Sequence, residues 1–504
     1  MNGILNGNGT GNGDVKTLRG VLRRLKKDSS REAVAAPSSS IKDSRVTFET
    51  IEGTKHQGEL LRMTRHSATF ELYDPTIALR LSEALDKFKI MFDDGVIYSG
   101  RATVRNLIDV KTKIVCETQL DDGQWSDLDF DALEINHRTI GNEFKNFVGQ
   151  WQKFYKVLPE FKVAVADMQV FLHDLQLWLE QIESAIHSMP PAQQAESELQ
   201  IATALREPVI GALSNLFERF EVIADRVEDD LQAAHRAYSR QQLHQYFLNA
   251  PFLYRTFAKP LGYAGDYEMM NMIVRNSFEG KSLFAKLMNA YLLNHGPCRA
   301  VRNRADFLTL KIIDETARVS RSGQTASIFC VACGPAWEAV NFIADSPLSD
   351  RARFQLLDFE QETLNYTKKK IEETKRQCRR QTEVKFIKNS VQNLLRGRHK
   401  TAPQEKFDLI YCSGLYDYLS DRVCKELNTY LYDLLQPGGL LVVGNFATHT
   451  PGQNLMEHLM EWFLIYRSSA ELAALAPEGA PEEECVVTSE PTGANIFLEA
   501  RKSA

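Results

Sequence analysis

Beyond Ala326, small and polar residues repeatedly fall where apolar runs end. Gly334 lies in Cys333-Gly334-Pro335-Ala336, directly after Ser327-Ile-Phe-Cys-Val-Ala332 and before a helical pattern that starts near Trp337. A glycine between a strand and a helix lets the backbone approach a ligand closely, with the helix N-terminus facing it. Twenty-four residues beyond Gly334, the run Arg353-Phe-Gln-Leu-Leu-Asp358 ends in an acid. A carboxylate at that edge can accept both ribose hydroxyls of an adenosine-containing ligand. Asn389 and Ser390 follow a third run, Glu383-Val-Lys-Phe-Ile387, where they can meet an adenine edge. Ser413-Gly-Leu-Tyr-Asp-Tyr418 follows a fourth, Phe407-Asp-Leu-Ile-Tyr-Cys412. Tyr416 and Tyr418 offer hydroxyls that could orient an acceptor oxygen while their rings pack an aliphatic chain. Asp417 could remove a proton from an amine or hydroxyl, or could equally cap the next helix.

Elements that bring such residues together must alternate strand and helix, as in a parallel sheet covered on both faces. A fifth strand, Leu440-Leu-Val-Val-Gly-Asn445, follows the turn Leu434-Leu-Gln-Pro-Gly-Gly439, and Glu484–Thr488 with Asn495–Glu499 makes a closing hairpin. The expected fold class is α/β: a Rossmann-like domain preceded by a helical segment and a small β-barrel.

The rest of the chain divides by composition and period. Residues 1–42 are rich in Gly, Asn and Ser and read as a disordered tail. Within the tail, Lys16–Lys27 could form a basic amphipathic helix that docks on an acidic partner or anionic surface, or a fraying solvated helix. Over 43–135 a period of two indicates a small antiparallel barrel, with Asp93-Asp94-Gly95 as a hairpin turn. Over 136–245, Phe144, Phe147, Trp151, Phe154, Leu158, Phe161, Val165, Met168, Leu172, Leu175, Leu179, Ile182 and Ile186 recur at spacings of three and four. Pro159 should kink or break that stripe. After Pro190-Pro191 a second arm runs through Leu213, Leu216, Phe220, Ile223, Val227, Leu231, Ala234 and Tyr238. The two arms can pack as an antiparallel hairpin or dimerise, and their aromatics could help line an acyl pocket. Residues 246–504 form the last domain, with an N-terminal helical lid.

Lys plus Arg numbers 60 against 66 Asp plus Glu, a net charge of −6, which argues against a dedicated nucleic-acid binder. No apolar run is long enough for a membrane span, and the N-terminus lacks the charge and apolar pattern of a secretory signal. The eight cysteines show no paired metal spacing, so free thiols in a cytoplasmic protein are expected. Cys330 and Cys333 make a CxxC without a second pair, and no metal site is expected.

The strand and loop succession resembles the class I S-adenosyl-L-methionine-dependent methyltransferases over about 180 residues. Their Gly-x-Gly-x-Gly loop is here Ala332-Cys-Gly334-Pro-Ala336. The barrel resembles a PilZ domain in Gly58 to Leu72 and in Gly100-Arg-Ala-Thr-Val-Arg-Asn-Leu107. Its cyclic-diguanylate motifs are absent: Arg65-His-Ser67 and Phe70 stand where that family carries its Asp-x-Ser and Gly. Lys259-Pro-Leu-Gly-Tyr-Ala-Gly-Asp-Tyr267, Arg299-Ala-Val-Arg-Asn-Arg304 and Glu461-Trp-Phe-Leu-Ile-Tyr-Arg467 are similar to bacterial methyltransferases assigned to biosynthesis of the extracellular factor 3-hydroxypalmitic acid methyl ester.

That resemblance implies carboxyl O-methylation of a 3-hydroxy fatty acid or a related acyl acceptor, with S-adenosyl-L-methionine as cofactor. Gly334 would face the cofactor's methionine part, Asp358 its ribose, and Asn389 or Ser390 its adenine, with Cys333 and Ser413 as further cofactor-binding candidates. Arg304, or failing it Arg302, would pair with the cofactor carboxylate through a bidentate fork; the plainer alternative is an arginine on a solvated helix face. Tyr263 and Asp266, around the turn Gly262-Tyr-Ala-Gly265, would close as a lid, or the turn would be plain with Asp266 as a helix cap. His295, His449 and His458 are reserve candidates. Two further readings stay open: methylation or another transfer from the same cofactor to N, O or C of a different metabolite, and a regulatory protein whose cofactor domain only senses. A homodimer is a possible assembly.

Overall fold

The computed structural model describes residues 44–125 apart from 52, 74–78, 93–94, 110–112 and 122, and residues 156–503 apart from 230 and 398–404. The basic segment Lys16–Lys27, Asp93-Asp94 of the expected turn, and Phe144, Phe147, Trp151 and Phe154 lie outside the described residues.

Six antiparallel strands close the N-terminal barrel: β1 (Ser44–Glu49), β2 (Lys55–Met63), β3 (Ser67–Leu72), β4 (Ala84–Phe92), β5 (Gly95–Asp109) and β6 (Ile114–Leu120). The circuit runs β1-β2-β3-β6-β5-β4 and returns to β1 through the β1–β4 pairing. Alternate residues of β1, Val46 and Phe48 among them, point inward, as the period-two pattern requires. Phe48, Phe70 and Phe88 meet inside with ring centroids 5.4–6.2 Å apart. A short β7 (Gln124–Trp125) pairs with β5.

Of the two arrangements open to the helical stripe, the chain forms the antiparallel hairpin, Pro159–His187 against Pro191–Ala224 across Pro190. Pro159 starts the first helix, where its missing N–H costs no intrahelical bond. The second arm does not run on unbroken: it stops at Ala224 and a separate helix occupies Gln232–Phe247. Phe161, Met168, Leu213 and Phe220 join one core that continues through Leu292 to Leu455 and Trp462, so the hairpin is packed onto the C-terminal part of the chain.

The C-terminal sheet contains β8 (Ala326–Val331), β9 (Ala352–Asp358), β10 (Glu383–Lys388), β11 (Phe407–Cys412), β12 (Leu435–Phe446), β13 (Cys485–Ser489) and β14 (Asn495–Arg501). Its order is β10-β9-β8-β11-β12-β14-β13; β10 to β12 are parallel, whereas β14 runs antiparallel to β12. Both faces are covered. Ile328 and Cys330 pack with Leu409, Val442 and Phe497 on one side, and Phe329 and Val331 with Ile410, Val443 and Leu498 on the other. This is the Rossmann-like arrangement expected from the sequence, and strand order reverses between β8 and β11, where such sheets open a crevice.

Candidate active site

Each predicted loop leaves the C-terminal edge of a parallel strand, and the crevice there is a cavity of about 1260 Å³ including its open mouth. Tyr263, Arg304, Cys333, Gly334, Asp358, Asn389, Ser390, Ser413, Asp417 and Tyr418 all line it. They come from six separate stretches of chain.

The loop after β8 makes its turn with three left-handed residues: φ is +53° at Ala332, +52° at Gly334 and +49° at Ala336. Only the middle one is a glycine. Left-handed φ costs a non-glycine residue roughly 1–2 kcal/mol, so the two alanines hold a conformation that the packing around them must impose. A Cβ at Gly334 would meet nothing within 4 Å, which leaves the backbone bare toward the cavity. The loop is anchored at both faces of Gly334: its N–H donates to Asp358 Oδ2 at 3.0 Å, and Thr367 Oγ1 donates to its carbonyl at 2.8 Å. Asp358 Oδ1 accepts from the Glu360 N–H at 3.0 Å. Burial pushes the Asp358 carboxyl above its ordinary range, against the Glu360 and Gly334 N–H groups and Arg80, which pull it down. Asn389 N–H donates to the Asp358 carbonyl at 3.0 Å, and Ser390 N–H to Asn389 Oδ1 at 3.0 Å.

At the other end, Arg304 is 8% exposed and its Nη2 lies 4.0 Å from Met270 Sδ. Among the described residues it forms no ion pair, although Asp417 and Glu338 both feel its charge. Arg302 is not a ligand candidate: its Nη1 donates to the carbonyls of Ile273 and Leu293 at 3.0 and 2.9 Å. Asp417 is 2% exposed and accepts the Phe446 N–H on Oδ1 at 2.6 Å. It does not cap the next helix, which begins after Ser420. Burial pushes the Asp417 carboxyl up to about 6, while the Phe446 N–H, Arg304 and Arg467 pull it down. Tyr418 OH accepts from Trp462 Nε1 at 2.8 Å.

Tyr416 requires a correction. Although it precedes Asp417, a tight turn at Tyr416–Tyr418 sends its ring into the core, where its hydroxyl bonds Asn428 Oδ1, and it does not line the cavity. Of the histidines, His449 is exposed and His295 half-buried. His458 is fully buried against Ser239 Oγ, and burial lowers His295 to about 4 beside Tyr291. None of the three histidines borders the cavity. Asp266 does cap the helix Tyr267–Arg275, accepting from Met269 N–H at 2.8 Å, and both its oxygens also share the Arg255 Nε–H in a bifurcated hydrogen bond. Cys330 faces the sheet core and Cys333 the loop; burial raises both thiols, and all eight cysteines are free.

Several lining residues have no counterpart in the sequence reading. Glu338, on the first turn of the helix after the glycine loop, accepts from Tyr411 OH at 3.0 Å. Trp337 donates Nε1 to Asn271 Oδ1 at 2.8 Å, and Trp462, Phe446, Phe359 and Met270 add apolar wall. Trp462 sits inside Glu461–Arg467, a segment that carries the family resemblance, and Met270 lies three residues beyond Lys259–Tyr267. Arg80 and Leu81 come from the barrel, and nothing local marks them.

No family model matches the chain, and no curated protein matches it. Among solved structures, a possible exported protein from Bordetella parapertussis is similar at 16% identity, covering 63% of this chain and 100% of that one, with a TM-score of 0.39. The S-adenosylmethionine-dependent methyltransferase SibL is similar at 15% identity over 68% of this chain and 98% of that one, with a TM-score of 0.35. Magnesium protoporphyrin IX methyltransferase from Synechocystis, with bound SAH, is similar at 13% identity over 41% of this chain and 87% of that one, with a TM-score of 0.29.

Proposed function

We propose that the protein is an S-adenosyl-L-methionine-dependent methyltransferase acting on a small-molecule acceptor. The observation that carries the reading is the pairing of Asp358, at the end of β9, with the bare, left-handed Gly334 beside it at the point where strand order reverses. Asp358 would accept the ribose hydroxyls, and the open space over Gly334 fits the cofactor's close approach. Asn389 and Ser390 would meet the adenine. Arg304, without an ion-pair partner among the described residues, would hold the cofactor carboxylate through its fork.

When bound, such a cofactor supplies an electrophilic methyl group on a sulfonium. The protein's part is to hold donor and acceptor in line and exclude water. Tyr418, fixed by Trp462, would orient the acceptor, and Phe446 and Trp462 would wall off its chain.

For the acceptor, we favour carboxyl O-methylation of a 3-hydroxy fatty acid or related acyl group. The family resemblance and the apolar walls from Met270, Val274, Val301 and Leu308 support it. A carboxylate is already ionised at neutral pH and needs no base. One observation favours a second reading, methylation of an amine or hydroxyl: Asp417 presents a carboxyl at the acceptor end whose burial tunes it toward a base's range. The free thiols support a cytoplasmic location. We further read the barrel as PilZ-like without cyclic-diguanylate binding; micromolar affinity in a titration would overturn that part.

The test is to incubate the purified protein with methyl-labelled cofactor and a cell extract and to identify the labelled product by mass spectrometry. Mild alkali releases methanol from a methyl ester but leaves N-methyl and ether products intact, so the same sample separates the two acceptor readings. Absence of cofactor binding at millimolar concentration would sink both.

A further inference from the structure

Among the described residues, the barrel reaches the cavity at Arg80 and Leu81, in the connection from β3 to β4. That connection is held from several sides. Glu83, 1% exposed, accepts the Ile51 N–H on Oε1 at 3.2 Å and the Arg80 N–H on Oε2 at 3.0 Å. Ser82, buried at φ +59°, donates from Oγ to the Phe463 carbonyl at 2.8 Å, one residue beyond Trp462. Ala84 N–H donates to the Gly262 carbonyl at 2.8 Å, and Glu83 forms a β-bridge with Tyr263. The barrel loop is therefore tied both to the lid turn and to the segment behind the acceptor end.

On this base Arg80 lays its guanidinium over Phe359, 4.3 Å from the ring centroid, and the Tyr263 ring lies 5.3 Å from that of Phe359. Phe359 directly follows Asp358. We propose that Arg80 is a cofactor-positioning residue supplied in cis by the barrel, closing the nucleoside end of the cavity over Phe359 and setting the charge that faces Asp358. The inference rests on the methyltransferase reading and deepens it. It makes the barrel part of the cofactor site.

Besides the Glu360 and Gly334 N–H groups, two charged side chains act on the Asp358 carboxylate, Arg80 and Glu360. Tyr263 and Cys333 also face it, but burial and Asp358 itself raise both well above their ordinary values, so they stay neutral between pH 5 and 8. Arg80 is the cation among them, so its removal raises the pH at which Asp358 takes up a proton. A protonated Asp358 loses acceptor capacity toward the ribose. Cofactor affinity should therefore begin to fall at a higher pH in Arg80→Ala than in the unaltered protein.

The experiment is calorimetric titration of the full chain with S-adenosylhomocysteine between pH 5 and 8, for the unaltered protein, Arg80→Lys and Arg80→Ala. Arg80 is half-buried on a loop, so both variants should keep the melting temperature. Arg80→Ala is expected to bind about tenfold more weakly at pH 7.5, because it removes both the wall over Phe359 and the positive charge beside Asp358, and its affinity should decline from a higher pH. Arg80→Lys should keep the original pH profile with an intermediate affinity. Unchanged affinity and profile in Arg80→Ala would overturn the proposal. A pH-independent loss shared equally by both variants would also overturn it, assigning the effect to barrel docking. If the unaltered protein fails to bind, the methyltransferase reading falls and takes this inference with it.

Discussion

Gly334 donates its backbone N–H to Asp358 Oδ2 at 3.0 Å, joining the loop after β8 to the acid that ends β9. Two features read separately in the sequence are thus one unit. The carboxylate that would hold a ribose also fixes the backbone that would face the methionine part, so disturbing either should disturb both.

Asp358→Ala should weaken S-adenosylhomocysteine binding by roughly 1.5–3 kcal/mol, the range for a hydrogen bond to a charged group. Titration calorimetry at pH 7.5 measures it directly. Unchanged affinity would remove Asp358 from the ribose role.

Substitutions in the loop should separate strain from ligand contact. Gly334→Ala has free space but a left-handed φ, so it should cost about 1–2 kcal/mol of stability. Its loss of cofactor affinity should be larger, because the new methyl group enters the space assigned to the cofactor. Ala332→Gly and Ala336→Gly should each stabilise by about 0.5–1 kcal/mol, the relief of left-handed strain less the added freedom of the unfolded chain. Chemical denaturation of the four proteins checks the signs.

Asp417→Asn distinguishes the acceptor chemistries. For a carboxylate acceptor most of the rate should survive; for an amine or hydroxyl acceptor, turnover should fall ~100-fold or more. In the second case turnover of the unaltered enzyme rises with pH through about 6, because the base works when deprotonated. Stability runs the other way. With its folded pKa above the unfolded value, ionised Asp417 costs stability above pH 6, and the cost fades as pH falls toward the unfolded carboxyl range. Kinetics and thermal melts across pH 5 to 8 report both.

Glu461, at φ +49°, meets Arg240 Nη1 at 3.0 Å, Lys259 Nζ at 3.9 Å and Thr103 Oγ1 of the barrel at 3.0 Å, all in the interior. Although burial alone would raise it, Arg240 and Lys259 hold its carboxyl below the usual range. That contribution is present above the unfolded pKa and is lost as pH falls through the folded one. Glu461→Ala strands two buried cations and should destabilise the protein by about 3–5 kcal/mol. Because Trp462 follows, turnover at a permissive temperature should drop as well. A variant with unaltered melting temperature would show that the network contributes no net stability.

The central strands β8, β11 and β12 were readable in the chain because parallel strands buried on both faces are nearly uninterrupted apolar runs. Toward the sheet edge, β9 and β10 interrupt their apolar residues with polar ones and were placed by their order and by the acidic or small polar residues at their ends. Gly334, Asp358, Asn389 and Ser413 could be placed at one edge on that basis, by backbone geometry alone. Tertiary packing decided what local pattern cannot express. Tyr416, Asp417 and Tyr418 are consecutive, yet the turn buries the first and directs the other two to the cavity. Arg302 and Arg304 lie on one helix, yet carbonyls from Ile273 and Leu293 claim the first and leave the second facing the site. Arg80 stands 278 residues before Asp358 in the chain, and no periodicity spans that distance. Only closure of the barrel, with Glu83 and Ser82 docked against Tyr263 and Phe463, brings its charge to the carboxylate.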